Sequence, residues 1–529
     1  MSIPKLSRFL PGLIISASVG IRLAGITRPL LGNFAVYGSA QAMIARFFLE
    51  GPFSSLLYPR INVLVNGEPS LILLYYPISS LIAAAMHTLF GGSLDVWGRL
   101  QAVVFFGLAA AFLYRLIRKV ADEKMAVAGL TAFCLFPLTI IYGQSFQNEM
   151  ATIFFSVGFF WYWLRLVETG KKYHILTAAM MLTGVLLTRP NNLYLLLPAL
   201  YLALIKGNKI SMGRLLFFRL VPCLLLSAVI PALWYFHVWR VSVEESNIYS
   251  TMFAQLMVRS SFVNPIILTA DYYKKLFDML VTMSFTPIGF TLFVAGCFLA
   301  IPRWREAGFF VLWCLAFLGS SLLIPRKLID HEFYLLHFVT AGAPLVGLGF
   351  CAIASMFGRE MRGRGVLLGF FLLLALGMTM RYAAHPAFKT PASERHFIEL
   401  AQKVNSLTEK ARSRIVFQGT HTLLYYSDRY GWGFHLNRTG DIGDYYKHMN
   451  WQKLSEEERG ARNEARREAT TDLEYLREHE GATHFVVTDL GEFYTDAKFA
   501  DHMHQTYQTL FVDKEVGIIF SLSSEAVSP

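Results

Sequence analysis

A few charged residues of this 529-residue chain stand where apolar runs begin or end, and those positions invite chemistry. The densest group is I-P-R-K-L-I-D-H-E-F-Y (324–334), where Arg326 and Lys327 precede His331, Glu332 and Tyr334 at the edge of a long apolar run. Cations beside the mouth of a membrane span suit a phosphate, whose oxygens take charge-assisted donors; a solvated loop is the ordinary alternative. Arg189, in L-T-R-P-N-N, marks another span edge, where an arginine serves equally as a snorkelling anchor or a ligand contact. Glu149 closes the short turn I-Y-G-Q-S-F-Q-N-E, a place where a carboxylate is ordinarily a solvated helix end. Glu68, in N-G-E-P, precedes an apolar segment whose positive helix end would favour an anion.

Bringing these residues together takes a membrane scaffold, and the composition supplies one. The chain is 54% hydrophobic and 15% aromatic, with mean hydropathy +0.43, values of a polytopic membrane protein. Apolar runs centre on 9–26, 98–117, 125–143, 150–167, 174–189, 192–205, 216–236, 283–301, 307–324, 333–357 and 365–383, predicting about eleven spans. The run 72–90 is ambiguous, and loop charges decide it. If it crossed, the basic loops at 115–124, 171–172 and 206–214 would face outward. If it lies in the interface, they fall inside with Lys5, Arg8, Arg303, Arg305, Arg359, Arg362 and Arg364. The positive-inside rule selects the second arrangement, with the N-terminus cytoplasmic, the C-terminus outside and 72–90 a juxtamembrane amphipathic helix. The first run keeps Arg22 near its outer end and lacks a small-residue cleavage site, so it is expected to stay as a signal anchor. Glu149, Arg189 and 324–334 then share the outer side with the stretch 27–97. That stretch is long for a loop and too aromatic for disorder, which fits a functional segment lying on the membrane.

The net charge of +11 follows the cytoplasmic loops and reads as topology, not as affinity for nucleic acid. Cys134, Cys223, Cys297, Cys314 and Cys351 all fall within predicted spans, so neither a disulfide framework nor metal-ligand spacing is indicated. Beyond Arg381 the composition turns charged and polar. Helix-like stretches (Ala392–Ala411, Ser455–His479) alternate there with R-I-V-F-Q, H-F-V-V-T-D and V-G-I-I-F-S-L, predicting a small α/β domain over 385–529 after a membrane domain over 1–384. His421, His435, His448, His484, His502 and His504 lack ligand spacing, and no phosphate-binding glycine loop or G-x-S-x-G is present. The domain therefore reads as accessory to the chemistry.

Several short motifs run in a telling order: A-M-I-A-R (42–46), L-L-Y-P-R-I (56–61), Y-Y-P-I (75–78), L-F-G (89–91), G-R-L (98–100) and S-F-Q-N-E (145–149). They are followed by L-T-R-P (187–190), D-H-E-F-Y (330–334) and L-Y-Y-S-D-R-Y-G-W (424–432). In this order and placement the chain resembles the GT-C glycosyltransferases, in particular the bacterial branch related to aminoarabinose transferases and protein O-mannosyltransferases. The resemblance implies a polytopic α-helical GT-C-like membrane protein with juxtamembrane helices and a C-terminal extracytoplasmic α/β domain, in the plasma (inner) membrane. It implies transfer of a sugar from a polyprenyl-phosphate carrier, the donor substrate, to a hydroxyl of a glycan, lipid or protein acceptor, usually without a nucleotide sugar. An acid in the first outer loop would act as base or position the acceptor. Arg46, Arg60, Arg189, Arg326, Lys327 and His331, with Glu332 and Tyr334, would hold the carrier phosphate.

Here the chain departs from that pattern. Gln41 stands where the loop's acid is expected, and Tyr75 precedes Y-P-I where relatives often carry an acid. A glutamine accepts no proton. Either another acid substitutes, Glu149 first and Glu68 second, or the chain keeps the fold without the transfer and binds prenyl lipid or glycan in a polysaccharide assembly complex. A transporter would show internal duplication and paired broken spans, which the sequence lacks.

Overall fold

Apolar chain that cannot hydrogen-bond to water must close its own backbone bonds, so the long apolar runs form helices. The computed structural model describes residues 3–32, 35–206, 216–251, 264–356, 361–434, 436 and 469–523. The first helices are α1 (Ile3–Leu23), α2 (Ala35–Glu50), α3 (Ile78–Phe90), α4 (Leu94–Val120), α5 (Glu123–Leu135), α6 (Pro137–Tyr142), α7 (Glu149–Thr169) and α8 (Tyr173–Thr188). They are followed by α9 (Leu196–Lys206), α10 (Val221–Glu244), α11 (Ala270–Met279), α12 (Thr286–Ala300), α13 (Trp304–Ser321), α14 (Pro325–Asp330), α15 (Leu335–Met356) and α16 (Met361–Phe388). The predicted apolar runs are largely helical over the described residues, with breaks inside those at 125–143 and 283–301. Among the described residues, however, only 5 helices are unbroken and apolar enough to cross a membrane: 94–120, 149–169, 217–244, 332–356 and 365–384. A bent pair, 270–284 and 286–300, turns by 105°.

The break between α5 and α6 shows how the scaffold tolerates such interruptions. Pro137 has no N–H to continue the ladder. The carbonyls it frees are taken by side chains: Phe133 by Thr139 Oγ1 at 2.5 Å, Cys134 by Arg22 Nη2 at 3.1 Å and Leu135 by Thr379 Oγ1 at 2.6 Å. Arg22, fully buried, lies 3.5 Å from the ring centroid of Phe106. It is a structural pin between α1 and the break.

The segment 72–90 differs from its expectation. Residues 72–73 end a strand and the helix begins only at Ile78, leaving 13 helical residues, roughly 20 Å at 1.5 Å per residue. That is too short to span, and its first part is in a sheet. Among the described residues the sheet has eight strands: β1 (Arg60–Val65), β2 (Glu68–Leu73), β3 (Ile248–Thr251), β4 (Arg414–Gln418), β5 (Tyr430–Phe434), β6 (His484–Val487), β7 (Gln508–Asp513) and β8 (Gly517–Ser521), in the order β3-β2-β1-β5-β4-β6-β8-β7. Strands β4, β6 and β8 carry the three stretches predicted from the sequence. The predicted helix at 392–411 ends at Leu407; that at 455–479 is seen as Ala469–His479, its first part lying outside the described residues.

Strands β1 and β2 form a hairpin, with N-G at its turn, where a helix start was expected after Glu68. Asn66 (φ 57°) and Gly67 (φ 75°) both occupy the left-handed region that a two-residue hairpin turn needs. The hairpin joins the C-terminal strands through β1 and β5, which run parallel with Val63 opposite Gly431. A Cβ on Gly431 would stand 1.7 Å from the Ile415 carbonyl oxygen, so only glycine fits there. One sheet thus takes three strands from before residue 385 and five from after it.

A second tie joins the same parts. Asp95, in the first turn of α4 behind the N-cap Ser93, accepts from Tyr425 Oη at 2.6 Å and Tyr426 Oη at 2.7 Å. Asp95 is 8% exposed. A buried carboxylate needs such donors, and a helix N-terminus adds to them. Asp95→Ala should leave both O–H donors without their acceptor and cost about 1–3 kcal/mol, read as a lower melting temperature and faster proteolysis of the C-terminal region. Unchanged melting and proteolysis would remove the clamp.

Candidate functional site

Three chain segments meet where α7 and α8 end on the side of the sheet. Tyr76 N–H donates to the Leu187 carbonyl at 2.9 Å, joining the start of α3 to the end of α8. Asn148 holds the third segment: its Oδ1 accepts from Ser79 N–H at 2.9 Å and its Nδ2 donates to the Tyr76 carbonyl at 3.0 Å. Ser79 Oγ adds a bond to the Gln147 carbonyl at 3.0 Å. The turn before Glu149 is fixed from behind as well, because Gly98 on α4 leaves the space that the Phe146 ring fills. Glu149 follows as the first residue of α7, where the helix's positive end favours a carboxylate.

Arg189 owes its position to Pro190. A residue before proline is pushed out of helical geometry, and Arg189 is extended (φ −155°, ψ 90°) between α8 and the 190–195 turn. Its guanidinium forms an ion pair with Glu149, the two side chains only 9% and 4% exposed. Arg189 Nη1 also donates to Tyr334 Oη at 3.1 Å. Three rings surround its cation, Tyr75 at 5.1 Å, Phe333 at 5.0 Å and Tyr334 at 4.8 Å. Cation–π attraction grows as water leaves such a cage. Glu149, Arg189, Asn192, Phe317, Tyr334 and His337 line a small cavity of about 10 Å³, room for one water.

Beside the cage, His331 stacks on Phe333 at 5.2 Å and reaches Tyr37 Oη with Nε2 at 3.3 Å. Burial, opposed by Asp330 and reinforced by Arg189, holds His331 below the usual histidine range. Burial, then Arg189, likewise lowers Lys327. An ammonium disfavoured in this way is one that an arriving anion stabilises. Burial pushes the Tyr37 hydroxyl up to about 12 and raises Tyr75 further, so both remain hydrogen-bond donors.

Of the residues the sequence singled out, Glu149, Arg189, Lys327, His331 and Tyr334 therefore meet. Glu332 is half-buried on the same turn. Arg326 is exposed and lies 3.7 Å from Asp330. Gln41 is on α2, where its Oε1 and carbonyl accept from Ser80 Oγ at 2.6 and 2.8 Å; it packs against α3 and does not line Glu149's cavity. Glu68 is exposed at the hairpin turn, next to Gly67, whose carbonyl accepts from Arg414. Arg60 donates to the Pro69 carbonyl within the hairpin at 2.8 Å. Arg46 pairs with Asp428 at 2.7 Å and donates to the Tyr425 carbonyl at 3.0 Å, fastening α2 to the C-terminal region. Tyr37, Asn192, Phe333 and His337 were not anticipated. The run H-E-F-Y contained the signal for Phe333, whereas nothing in the sequence around Tyr37 distinguishes it from other aromatics of the loop.

Residues 76–235 match the family model described as dolichyl-phosphate-mannose-protein mannosyltransferase, a range that includes Asn148, Glu149 and Arg189. No curated protein matches the chain in sequence. Among solved structures, ArnT from Cupriavidus metallidurans in the apo state is similar over 99% of this chain and 99% of its own, at 13% identity and TM-score 0.66. The same protein bound to undecaprenyl phosphate is similar over 97% and 98%, at 13% identity and TM-score 0.64. The Archaeoglobus fulgidus oligosaccharyltransferase tethered with an acceptor peptide is similar over 97% of this chain and 74% of its own, at 12% identity and TM-score 0.52. At these identities the likeness is one of fold. The chain has the GT-C glycosyltransferase fold, in a membrane protein.

Removing one partner of a buried ion pair strands the other. Arg189→Gln and Glu149→Gln should each lower stability by about 3–5 kcal/mol, and the double variant should lose clearly less than the sum. Additive losses in thermal unfolding would mean that the two charges do not interact.

Proposed function

We propose that this chain is a glycosyltransferase that takes a sugar from a polyprenyl-phosphate carrier and gives it to an acceptor hydroxyl on the outer face of the plasma (inner) membrane. The observation that carries this reading is the buried Glu149–Arg189 pair in its aromatic cage, flanked by Lys327 and His331, on a GT-C fold. A leaving phosphate needs fixed positive charge, and Arg189 and Lys327 supply it. The phosphate of an incoming carrier competes with Glu149 for Arg189. Once Arg189 turns to the phosphate, Glu149 is left buried without its counter-charge and takes the proton of the attacking hydroxyl. Tyr37 and Tyr334 donate toward the same space. Arg326, Glu332, Arg46, Arg60 and Glu68 carry no step in this scheme.

The reading includes a layout: a membrane unit over 1–384, with 27–97 as its first outer loop, and an extracytoplasmic α/β unit over 385–529 that shares its sheet with that loop. The N-terminus is cytoplasmic. The acceptor is a glycan, lipid or protein.

One observation favours a second reading. Gln41, where an acid is expected, is bonded to Ser80, and the one acid in the cage is paired with arginine. A relative without transfer activity, binding prenyl lipid or glycan in an assembly complex, fits that state. Transfer of labelled sugar by the purified protein separates the two. The transferase reading expects turnover that falls about 10²–10⁴-fold in Glu149→Gln, while Gln41→Asp keeps or raises it. No turnover in the parent together with turnover in Gln41→Asp establishes the silent relative, and full turnover in Glu149→Gln removes the carboxylate from the chemistry.

A further inference from the structure

The turn 143–148 has a second side, away from the Arg189 cage. There a cavity of about 30 Å³ is bounded by Arg28, Arg99, Gln144, Gln147, Ala35 and Ala387. It lies between the chain leaving α1, the start of α4, α2 and the end of α16. Two features of its walls are unexplained by the fold. Gln144 is 1% exposed, and neither its Oε1 nor its Nε2 has a partner. Arg99 is 7% exposed, and its Nε has none either.

The cavity is also cationic. Arg99 donates to the carbonyls of Gln144 at 3.1 Å and Pro29 at 2.9 Å. Arg28 donates to those of Gly25 at 3.2 Å and Ala387. Among the described residues both guanidiniums thus reach backbone carbonyls alone, and no carboxylate pairs with either. Asp95, one turn before Arg99 on α4, partly offsets the burial of the Arg99 charge, but its oxygens accept from Tyr425 and Tyr426 and do not contact the guanidinium. The two cations feel each other: burial first, then Arg99, lowers Arg28 to about 10. Like charges brought together beside an unsatisfied buried amide describe a site lacking its anion. By the 10–15 Å³ that one water needs, the space takes about two oxygen-sized atoms, which suits the edge of an oxyanion and excludes a sugar ring. Near the cavity the end of α1 exposes Ile21 and Leu23 and α16 exposes Met380, apolar surface along which a lipid can approach.

We propose that Arg28, Arg99 and Gln144 form a second oxyanion site, which takes the phosphate edge of an anionic headgroup across the 143–148 turn from Arg189. The guanidiniums neutralise the oxygens and Gln144 Nε2 donates to one of them. The site stands whether or not the chain transfers sugar.

The test is thermal unfolding of the full chain in nanodiscs. The probes are inorganic phosphate against chloride at equal ionic strength, and phosphatidic acid against phosphatidylcholine. Either anion should raise the melting temperature by about 2–4 °C at saturating levels. A response to phosphatidic acid alone identifies a headgroup, and a response to free phosphate a soluble anion. Arg28→Gln should weaken the binding about ten- to hundredfold. Gln144→Glu, which supplies an internal carboxylate, should abolish the response and itself melt higher. The double variant Glu149→Gln/Arg189→Gln, which lacks the other phosphate contact, should keep a response that adding Arg28→Gln removes, which keeps this outcome separate from that of the transferase reading. No response to either anion, or a response undiminished in both Arg28→Gln and Gln144→Glu, would overturn the proposal and leave a pocket that holds water only.

Discussion

Two opposite charges, Glu149 and Arg189, are buried together where two helices end, and the surrounding structure is what makes that tolerable. Taking an arginine and a carboxylate out of water costs several kcal/mol each, and their attraction offsets this only with good geometry and further partners. Pro190 breaks α8 so that Arg189 can turn inward. Asn148 and Ser79 fix the backbone ahead of Glu149. Tyr75, Phe333 and Tyr334 wrap the cation. A stable core alone would be better served by apolar residues in these places. An ion pair in this position is reason to look for a ligand that changes its partners.

The cage depends on loops, and loops need a rigid frame. The first loop supplies Tyr37, Tyr75 and the hairpin, and it is held at both ends. The hairpin is part of a sheet with the C-terminal strands, while α2 is fastened through Arg46 and Asp428. Asp95 binds the C-terminal region to α4 through two tyrosines. The motif L-Y-Y-S-D-R-Y-G-W thereby acquires physical reasons: Tyr425 and Tyr426 for Asp95, Asp428 for Arg46, and Gly431 for the close approach of β4. Among the described residues the C-terminal region carries no cage residue; it holds the loop that does.

Much of this was legible in the sequence. Apolar runs located the helices, and Glu149, Arg189 and 324–334 were visible as charges at span edges, where burying a charge needs a reason. Three strands of the C-terminal sheet were readable as short apolar stretches between helix-like ones. Other features depend on tertiary pairing. The hairpin at 66–67 went unread although N-G is its turn, and nothing local says that β1 pairs with β5, more than three hundred residues later. Arg46 and Arg60 resembled phosphate ligands because an arginine in a loop has the same appearance whether its partner is a phosphate, an aspartate or a carbonyl. Gln41 was identifiable as a departure from pattern, while its bond to Ser80 required the packing of α2 on α3.

The central claim is that the carrier phosphate and Glu149 compete for Arg189. The most direct measurement is the affinity of the purified protein for a polyprenyl phosphate, compared between the parent, Glu149→Gln and Arg189→Gln. Competition predicts that Glu149→Gln binds the carrier more tightly than the parent, because the rival anion is gone, and that Arg189→Gln binds it about tenfold or more weakly, as for loss of a charge-assisted contact. Weaker binding in Glu149→Gln, or unchanged binding in Arg189→Gln, would contradict the account.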